Sequence, residues 1–127
     1  MSLNILVVDD SAVSRSMVLK TLRLSGVPLG TVHQAANGQE ALEALEHNWV
    51  DMILTDLNMP VVNGEELVHR VRANALWESL PVIVISTEGS QTRIDRLKEL
   101  GARFVHKPFS PEELGEVVRE ITGVCHE

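Results

Sequence analysis

The chain alternates between short apolar runs and longer segments in which apolar and polar residues follow a helical period. Three of the runs, at residues 5–8, 52–54 and 82–85, are unbroken and rich in β-branched side chains. Runs of this kind are typical of strands that are covered on both faces in a parallel sheet. Two weaker runs, at residues 32–36 and 104–105, bring the number of predicted strands to five.

A segment with helical spacing follows each predicted strand. The last segment is the clearest, because Ser110 can cap its N-terminus and Pro111 suits the first helical position. Gly26 and Gly101 mark the ends of the first and fourth segments. The apolar residues that define the five helices are, in chain order, Val13, Met17, Val18 and Leu22; Ala41, Leu42 and Leu45; Leu67, Val68 and Val71; Ile94, Leu97 and Leu100; and Leu114, Val117, Val118 and Ile121.

This order of strand and helix, repeated five times, predicts an α/β fold of the (βα)5 type. Parallel neighbours need crossover connections, and these are right-handed, so we expect a doubly wound parallel five-stranded sheet with helices on both faces. The 127 residues fit one domain, and we expect a single unit over residues 1–127 with no effector domain. Ligands of such sheets bind beyond the carboxyl ends of the strands.

Polar residues whose side chains can bind a metal or take part in a reaction lie at those carboxyl ends. They are Asp9 and Asp10 after the first strand, Asp56 after the third, Ser86 and Thr87 at the end of the fourth, and Lys107 after the fifth. Three carboxylates in one cleft repel one another, so a cation is expected to join them. Oxygen ligands without histidine or cysteine point to Mg²⁺, and the sequence therefore predicts a metal site at Asp9, Asp10 and Asp56.

A metal beside Asp56 would let a phosphoryl group approach a carboxylate that otherwise repels it. Lys107 can pair with the phosphoryl oxygens and the Ser86 hydroxyl can hydrogen-bond to one of them. Attack by the Asp56 carboxylate would then give an acyl phosphate, a reactive anhydride that suits a transient mark. Each residue by itself has a simpler structural explanation, such as Asp10 capping a helix. Those explanations do not account for the placement of all these residues at the same edge of the sheet.

Composition narrows the classes of function. The formal charge of −7 and the pI near 5.2 argue against binding to nucleic acid, which requires clustered Lys and Arg. No signal peptide or membrane span is evident, and the single cysteine, Cys125, cannot form an internal disulfide, so we expect a cytoplasmic protein without membrane insertion. The five histidines, His33, His47, His69, His106 and His126, lack ligand spacing, and surface or packing roles are favoured for them.

Four motifs carry a resemblance to a known family. They are LVVDDS at residues 6–11, TDLNMPVVNG at 55–64, PVIVIST at 81–87 and HKPFSPEEL at 106–114. In order and spacing this set resembles the receiver domain of two-component response regulators, most closely the stand-alone chemotaxis type, and it covers nearly the whole chain. The resemblance implies a flavodoxin-like sheet of strand order 2-1-3-4-5. It also implies a phosphoacceptor signalling protein that is not an enzyme beyond its own phosphorylation and dephosphorylation.

The resemblance assigns the phosphoryl-accepting and metal-binding roles. It implies that Asp56 takes a phosphoryl group from a sensor histidine kinase or a phosphotransfer protein. Asp10 would bind Mg²⁺ directly, Asp9 would support the ion through water, and Asn58 would contribute its backbone carbonyl. Mn²⁺ would be a substitute for Mg²⁺.

The resemblance also assigns the switch. Ser86 would be the switch hydroxyl, Lys107 the base that contacts the phosphoryl group, and Phe104 the aromatic residue that turns inward on activation. Pro108 would follow Lys107, often through a cis bond in this family. Thr87 stands where a small alanine is common, so the chain offers a second candidate for the switch hydroxyl.

Other family positions bear on lifetime and output. Asn58 and Glu88 occupy the two variable places that tune the hydrolysis of the acyl phosphate. The segment at residues 88–93 lacks the lysine pair often seen in regulators of the flagellar motor, so chemotaxis and other phosphorelays both remain as pathways. The resemblance implies output through the surface of the fourth helix, fifth strand and fifth helix to a target protein that the sequence does not name.

Two other functions are considered on the same fold. A Mg²⁺-dependent aspartyl-phosphate phosphatase would need an Asp-x-Asp-x-Thr pattern, but Ser11 and Val13 stand at the required acid and hydroxyl positions. A flavin-binding module would need a phosphate-binding loop after the first strand, where Asp9 and Asp10 would repel the flavin phosphate.

Overall fold

The computed structural model describes residues 2–123, so the expectations for Cys125 and His126 lie outside the described residues. Within these residues, strands and helices alternate five times. The elements are β1 (Leu3–Val8), α1 (Ala12–Leu24), β2 (Leu29–Ala35), α2 (Gly38–His47), β3 (Met52–Thr55), α3 (Gly64–Ala73), β4 (Val82–Ser86), α4 (Gln91–Glu99), β5 (Arg103–His106) and α5 (Pro111–Thr122). The predicted (βα)5 order is confirmed.

The five strands form one parallel sheet in the order β2-β1-β3-β4-β5. The flavodoxin-like arrangement implied by the resemblance is therefore confirmed. The predicted bounds were closest for β3 and β4, which are buried along their whole length. β2 begins three residues earlier than predicted, because the first six residues of this edge strand are exposed or only partly buried and their apolar signal is weak.

Side-chain caps fix the starts of the helices. Asn37, Asn63 and Ser110 each accept a hydrogen bond from the backbone N–H three residues further along, which satisfies one of the free donors of the first turn. After α1 and α4 the chain turns at Gly26 and Gly101, whose positive φ angles of 82° and 80° suit glycine. The capping residues lie at the carboxyl edge of the sheet, where the loops carry the polar residues, and the two glycines turn the chain at the opposite edge.

Two apolar layers sandwich the sheet. On one face, α1 and α5 pack against it through Leu22, Leu114 and Val118. On the other face, α2, α3 and α4 contribute a larger cluster in which Leu67 and Leu97 are fully buried. Because each central strand sends alternate side chains into the two layers, the sheet is held rigidly from both sides, and its carboxyl edge can position side chains precisely.

Two apolar expectations were wrong in part. Val13 and Met17 were assigned to the apolar face of α1, but their side chains are 75% and 58% exposed. The first turns of α1 start at the carboxyl edge of the sheet, so little of the sheet lies beneath them. Trp49 is 76% exposed, whereas Trp77 packs partly buried against the core. In residues 2–123 no helix has the length and apolar character needed to span a membrane.

Candidate carboxylate site at the edge of the sheet

Three aspartates meet where β1 and β3 end. One carboxylate oxygen from each of Asp9, Asp10 and Asp56 lies within 4.8 Å of the others. The backbone fixes two of them, because the Asp9 N–H donates to the carbonyl of Ala35 at 3.1 Å and the Asp56 N–H donates to that of Val8 at 2.8 Å. These bonds extend the sheet by one residue, and the predicted convergence of the three acids is confirmed.

The Asp9 side chain is buried and firmly held. Its Oδ1 accepts a hydrogen bond from the Ser11 N–H at 2.9 Å, and its Oδ2 lies 3.7 Å from Lys107 Nζ. The Arg15 guanidinium donates to the Asp9 backbone carbonyl at 2.6 Å. Asp10, in contrast, is exposed to solvent. The site therefore has a buried inner side at Asp9 and an open side at Asp10.

Asp56 sits between these two environments and is half-buried. Its Oδ1 accepts the Leu57 N–H at 2.8 Å, and the Thr55 hydroxyl donates to its carbonyl at 2.8 Å. Burial raises the pKa of Asp56 above its usual 3.8; the Leu57 N–H and Lys107 act to lower it, and the charges of Asp9 and Asp10 raise it further. The ionised carboxylate is thus disfavoured here until a cation joins it.

Lys107 enters the site from the end of β5. Its Nζ donates to the Ser14 hydroxyl at 3.3 Å, in addition to the contact with Asp9. Its backbone N–H donates to the Ser86 carbonyl at 3.0 Å, which fixes the lysine beside the end of β4. The peptide bond to Pro108 is cis, as the resemblance implied. Ser14 was missed in the sequence, since it lies 93 residues from Lys107 and shares no motif with it.

The two candidate switch hydroxyls lie in different environments. Ser86 is buried at the end of β4, and its Oγ accepts the Glu88 N–H at 3.1 Å. Thr87 is exposed on the loop that follows. The Ser86 hydroxyl is thus buried and tied to the backbone, whereas the Thr87 side chain faces solvent.

Phe104 lies near the end of β5 and packs, partly buried, against the apolar layer formed by α2, α3 and α4. Its ring meets that of His106 edge to face, with centroids 4.7 Å apart and planes at 72°. Residues two apart on a strand share a face, so this pairing could have been found from the sequence. The packing role favoured for His106 is consistent with this contact.

Asn58 and Glu88 lie on the two loops beside Asp56, and one residue joins them. Arg93, in the first turn of α4, donates to Glu88 Oε1 at 2.6 Å and to Asn58 Oδ1 at 3.4 Å. No motif in the sequence pointed to Arg93. Its contact with Asn58 spans 35 residues and depends on how α4 packs beside α3.

The donor set fits a hard divalent cation. The three aspartates offer oxygen ligands alone, and Mg²⁺ prefers one or two carboxylates with water and phosphate oxygens completing its shell. In residues 2–123 these aspartates form the group of acidic, histidine or cysteine side chains that is close enough to hold an ion. The raised pKa of Asp56 supports the same conclusion, because a cation there would relieve the repulsion.

Comparisons with known proteins agree with this geometry. A family model described as the response regulator receiver domain matches residues 5–119. A chemotaxis protein CheY homolog of Campylobacter jejuni is 37% identical over 95% of this chain and 93% of its own length, and Helicobacter pylori chemotaxis protein CheY1 is 35% identical over 95% and 98%. The solved structure of Vibrio cholerae chemotaxis response regulator CheY4 is 35% identical and covers 95% of this chain and 99% of its own, with a TM-score of 0.81. The chain belongs to the response regulator receiver domain family.

Proposed function

We propose that residues 1–127 act as a stand-alone receiver that takes a phosphoryl group onto Asp56 and signals by phosphorylation-dependent protein binding. The observation that carries the proposal is the half-buried Asp56 carboxylate, which has two other acids within 4.8 Å and the Lys107 ammonium beside the cluster. The donor is a phosphohistidine on a sensor kinase or phosphotransfer protein. The chain would catalyse only the phosphorylation and dephosphorylation of its own Asp56. It would therefore act as a signalling protein and not as an enzyme on other substrates.

The chain's own residues supply positioning and charge. An Asp56 carboxylate oxygen forms the new O–P bond as the P–N bond of the donor breaks, and the electron pair returns to the donor imidazole, which takes up a proton. Lys107 Nζ leaves Ser14 to pair with a phosphoryl oxygen. Asp10 and Asp56, with Asp9 behind them, would hold Mg²⁺ together with the Asn58 carbonyl. When bound, the ion neutralises the charge that would otherwise repel the incoming phosphoryl group, and Mn²⁺ could replace it.

The donor has an accessible approach beside Lys107. The exposed side of α1 carries Val13 and Met17, and Met17 lines a cavity of about 270 Å³ together with Lys107 and Phe109. An apolar surface next to a cationic reaction centre suits a partner helix that presents a phosphohistidine. This gives a reason for the exposure of residues whose spacing had placed them in the core.

The switch connects the site to α4, β5 and α5. If the Ser86 hydroxyl moves to a phosphoryl oxygen, it gives up the Glu88 N–H and leaves space near the end of β4. Phe104 pairs with Val84 across the β4–β5 register and can fill this space by turning inward. A packed element with two arrangements, biased by a local charge, is what a signalling switch requires. The target protein then binds the changed surface. We also propose a cytoplasmic location for the protein.

The phosphatase and flavin-binding alternatives are not favoured by the family membership. Incubation with acetyl phosphate and Mg²⁺ tests the proposal directly. We expect the wild type to gain one phosphoryl group and the Asp56→Asn variant to gain none. Asp51→Asn is the matched control, because Asp51 lies before β3 at the opposite edge of the sheet and is held by Asn4 and Trp49. Labelling that persists in Asp56→Asn would contradict the proposal, and so would turnover of added phosphoesters.

A further inference from the structure

Arg93 links three separate segments around the carboxylate site. Its Nη1 contacts Glu88 Oε1 at 2.6 Å and Asn58 Oδ1 at 3.4 Å, while its Nε lies 3.7 Å from Glu65 Oε1. Glu88 precedes α4, Asn58 follows β3, and Glu65 belongs to the first turn of α3. A guanidinium has five N–H donors in a rigid fork, so a single side chain can hold partners on all three segments.

The two nearer partners of Arg93 are each closely tied to the reacting groups. Asn58 lies two residues after Asp56, and the intervening Leu57 N–H donates to the Asp56 carboxylate at 2.8 Å. Glu88 lies two residues after Ser86 and donates its own N–H to the Ser86 hydroxyl at 3.1 Å. Arg93 therefore joins the loop beyond the phosphoacceptor to the loop beyond the switch hydroxyl.

The bridge is partly shielded from solvent. The side chains of Arg93 and Glu88 are 27% and 19% exposed, and their contact is short and charge-assisted. The second oxygen of Glu88 accepts the Ser90 N–H at 3.1 Å, so the carboxylate also fastens the loop that leads into α4. A pair held in this way contributes more than a freely solvated ion pair.

We propose that Arg93 is a positioning residue that holds Asn58 and Glu88 in place beside Asp56 and thereby prolongs the life of the acyl phosphate. This inference rests on the proposed function. Hydrolysis requires a water oxygen to bond to phosphorus as the bond to the Asp56 oxygen breaks; the electron pair returns to the carboxylate, and the water gives up a proton to solvent. Side chains fixed on both flanking loops restrict the approach of that water, and the bridge also resists loss of the Ser86–Glu88 bond.

Arg96 provides a matched control on the same helix. It lies about one turn further along α4 and contacts Glu65 at 3.1 and 3.3 Å. Neither Asn58 nor Glu88 is among these contacts. Arg96→Ala thus removes the same type of side chain from the same helix, together with a contact to Glu65, while leaving the bridge across the site intact.

The test measures the decay of the phosphoryl label after acetyl phosphate is removed. We expect Arg93→Ala to accept the label on Asp56, as the wild type does, but to lose it about three- to fivefold faster, the rate equivalent of one partly exposed ion pair. Arg93→Lys should lie between the two, because it keeps the charge and loses the fork. Arg96→Ala should decay at the wild-type rate. In the double variant with Glu88→Ala, the two effects should be less than additive.

A second readout needs neither metal nor phosphate. In NMR spectra of the metal-free protein, Arg93→Ala should shift the side-chain amide signals of Asn58 and the backbone N–H signal of Glu88, whereas Arg96→Ala should leave them in place. A wild type that is not labelled on Asp56 would overturn the proposed function. If the wild type is labelled and Arg93→Ala loses the label no faster than the wild type, this inference alone is overturned. Unmoved Asn58 and Glu88 signals in Arg93→Ala would also overturn it.

Discussion

Replacing Asp56 by asparagine should stabilise the metal-free protein, although it removes the proposed phosphoacceptor. The wild-type carboxylate is partly buried beside two other acids, and its pKa is raised chiefly by that burial. Asparagine has nearly the same shape and keeps an oxygen that can accept the Leu57 N–H, which now bonds to the carboxylate at 2.8 Å. The variant therefore keeps the local structure and loses the unfavourable charge.

The size of the effect follows from the distances. Two unit charges 4.8 Å apart, the limit of separation within the cluster, repel by about 0.9 kcal/mol in water and about 3.5 kcal/mol at an effective dielectric constant of about 20. Asp56 has two such neighbours, and the attraction of Lys107 offsets about one of them. Because Asp10 is exposed and screened, we expect a net gain in the free energy of unfolding of about 1–2 kcal/mol.

The gain should depend on pH in a defined direction. Between 3.8, the usual pKa of the aspartate carboxyl, and the raised pKa of Asp56, the folded wild type binds more protons than the unfolded chain. Its stability therefore falls as pH rises through this window, and the loss is complete above the folded pKa. The asparagine side chain of the variant does not titrate, so the advantage of Asp56→Asn should be smallest near the usual pKa of 3.8 and largest at neutral pH.

Urea unfolding in EDTA at several pH values measures this difference. Asp51→Asn is the control, because both oxygens of Asp51 already accept hydrogen bonds, from Asn4 and Trp49, and neutralising it should destabilise the protein. Added Mg²⁺ should stabilise the wild type by about 2.7 kcal/mol at a hundredfold excess over its Kd, and Asp56→Asn by less. An Asp56→Asn variant that is less stable than the wild type in EDTA, or whose advantage shrinks as pH rises, would refute the reasoning.

Two further predictions concern the loop between β3 and α3. Val61 is 80% exposed and has a φ angle of 68°, a region that β-branched residues rarely adopt. Val61→Asn should therefore raise the free energy of unfolding by about 1 kcal/mol, because asparagine tolerates this conformation. Val61→Ile should give no such gain, and thermal unfolding of the two variants measures the difference. A Cβ on Gly64 would clash with the Asp56 carbonyl and lie 2.8 Å from the Leu57 Cα, so Gly64→Ala should cost about 2 kcal/mol or more and slow phosphorylation of Asp56. Gly89→Ala, with open space around it, should unfold like the wild type, and equal stability of the two alanine variants would contradict the role given to Gly64.

The parts of the fold that could be predicted from the sequence are those whose signal is local. β3 and β4 were recognised because they are covered on both faces, which produces unbroken apolar runs. β2 lies at the edge and alternates irregularly between exposed and partly buried residues, so its first residues carried little signal. The extent of burial along α1 could not be predicted either. Helical spacing shows which face of the helix is apolar, but it does not show which turns of that face pack against the sheet.

The carboxylate cluster could be predicted because it follows from topology alone. Parallel strands end at one edge, so the residues after β1 and β3 must meet there whatever their side-chain rotamers. The contacts of Arg93 with Asn58 and of Lys107 with Ser14 are different, because they depend on how α4 and α1 pack and on the conformations of long side chains. Such contacts leave no periodic trace in the sequence.

The backbone explains why the charge conflict at the site persists. Asp9 and Asp56 are fixed by backbone hydrogen bonds that continue the sheet, so they cannot separate without breaking it. The repulsion can be relieved only by a proton, by a cation or by a change in the carboxylate itself. The phosphorylation proposed for Asp56 would add negative charge to this conflict, and it would place new oxygens within reach of Lys107 and Ser86, which are joined through the bond from the Lys107 N–H to the Ser86 carbonyl. The rigid sheet thus directs the response toward the loop before α4, where Arg93 holds Glu88, and the strength of that bridge should determine how long the response lasts.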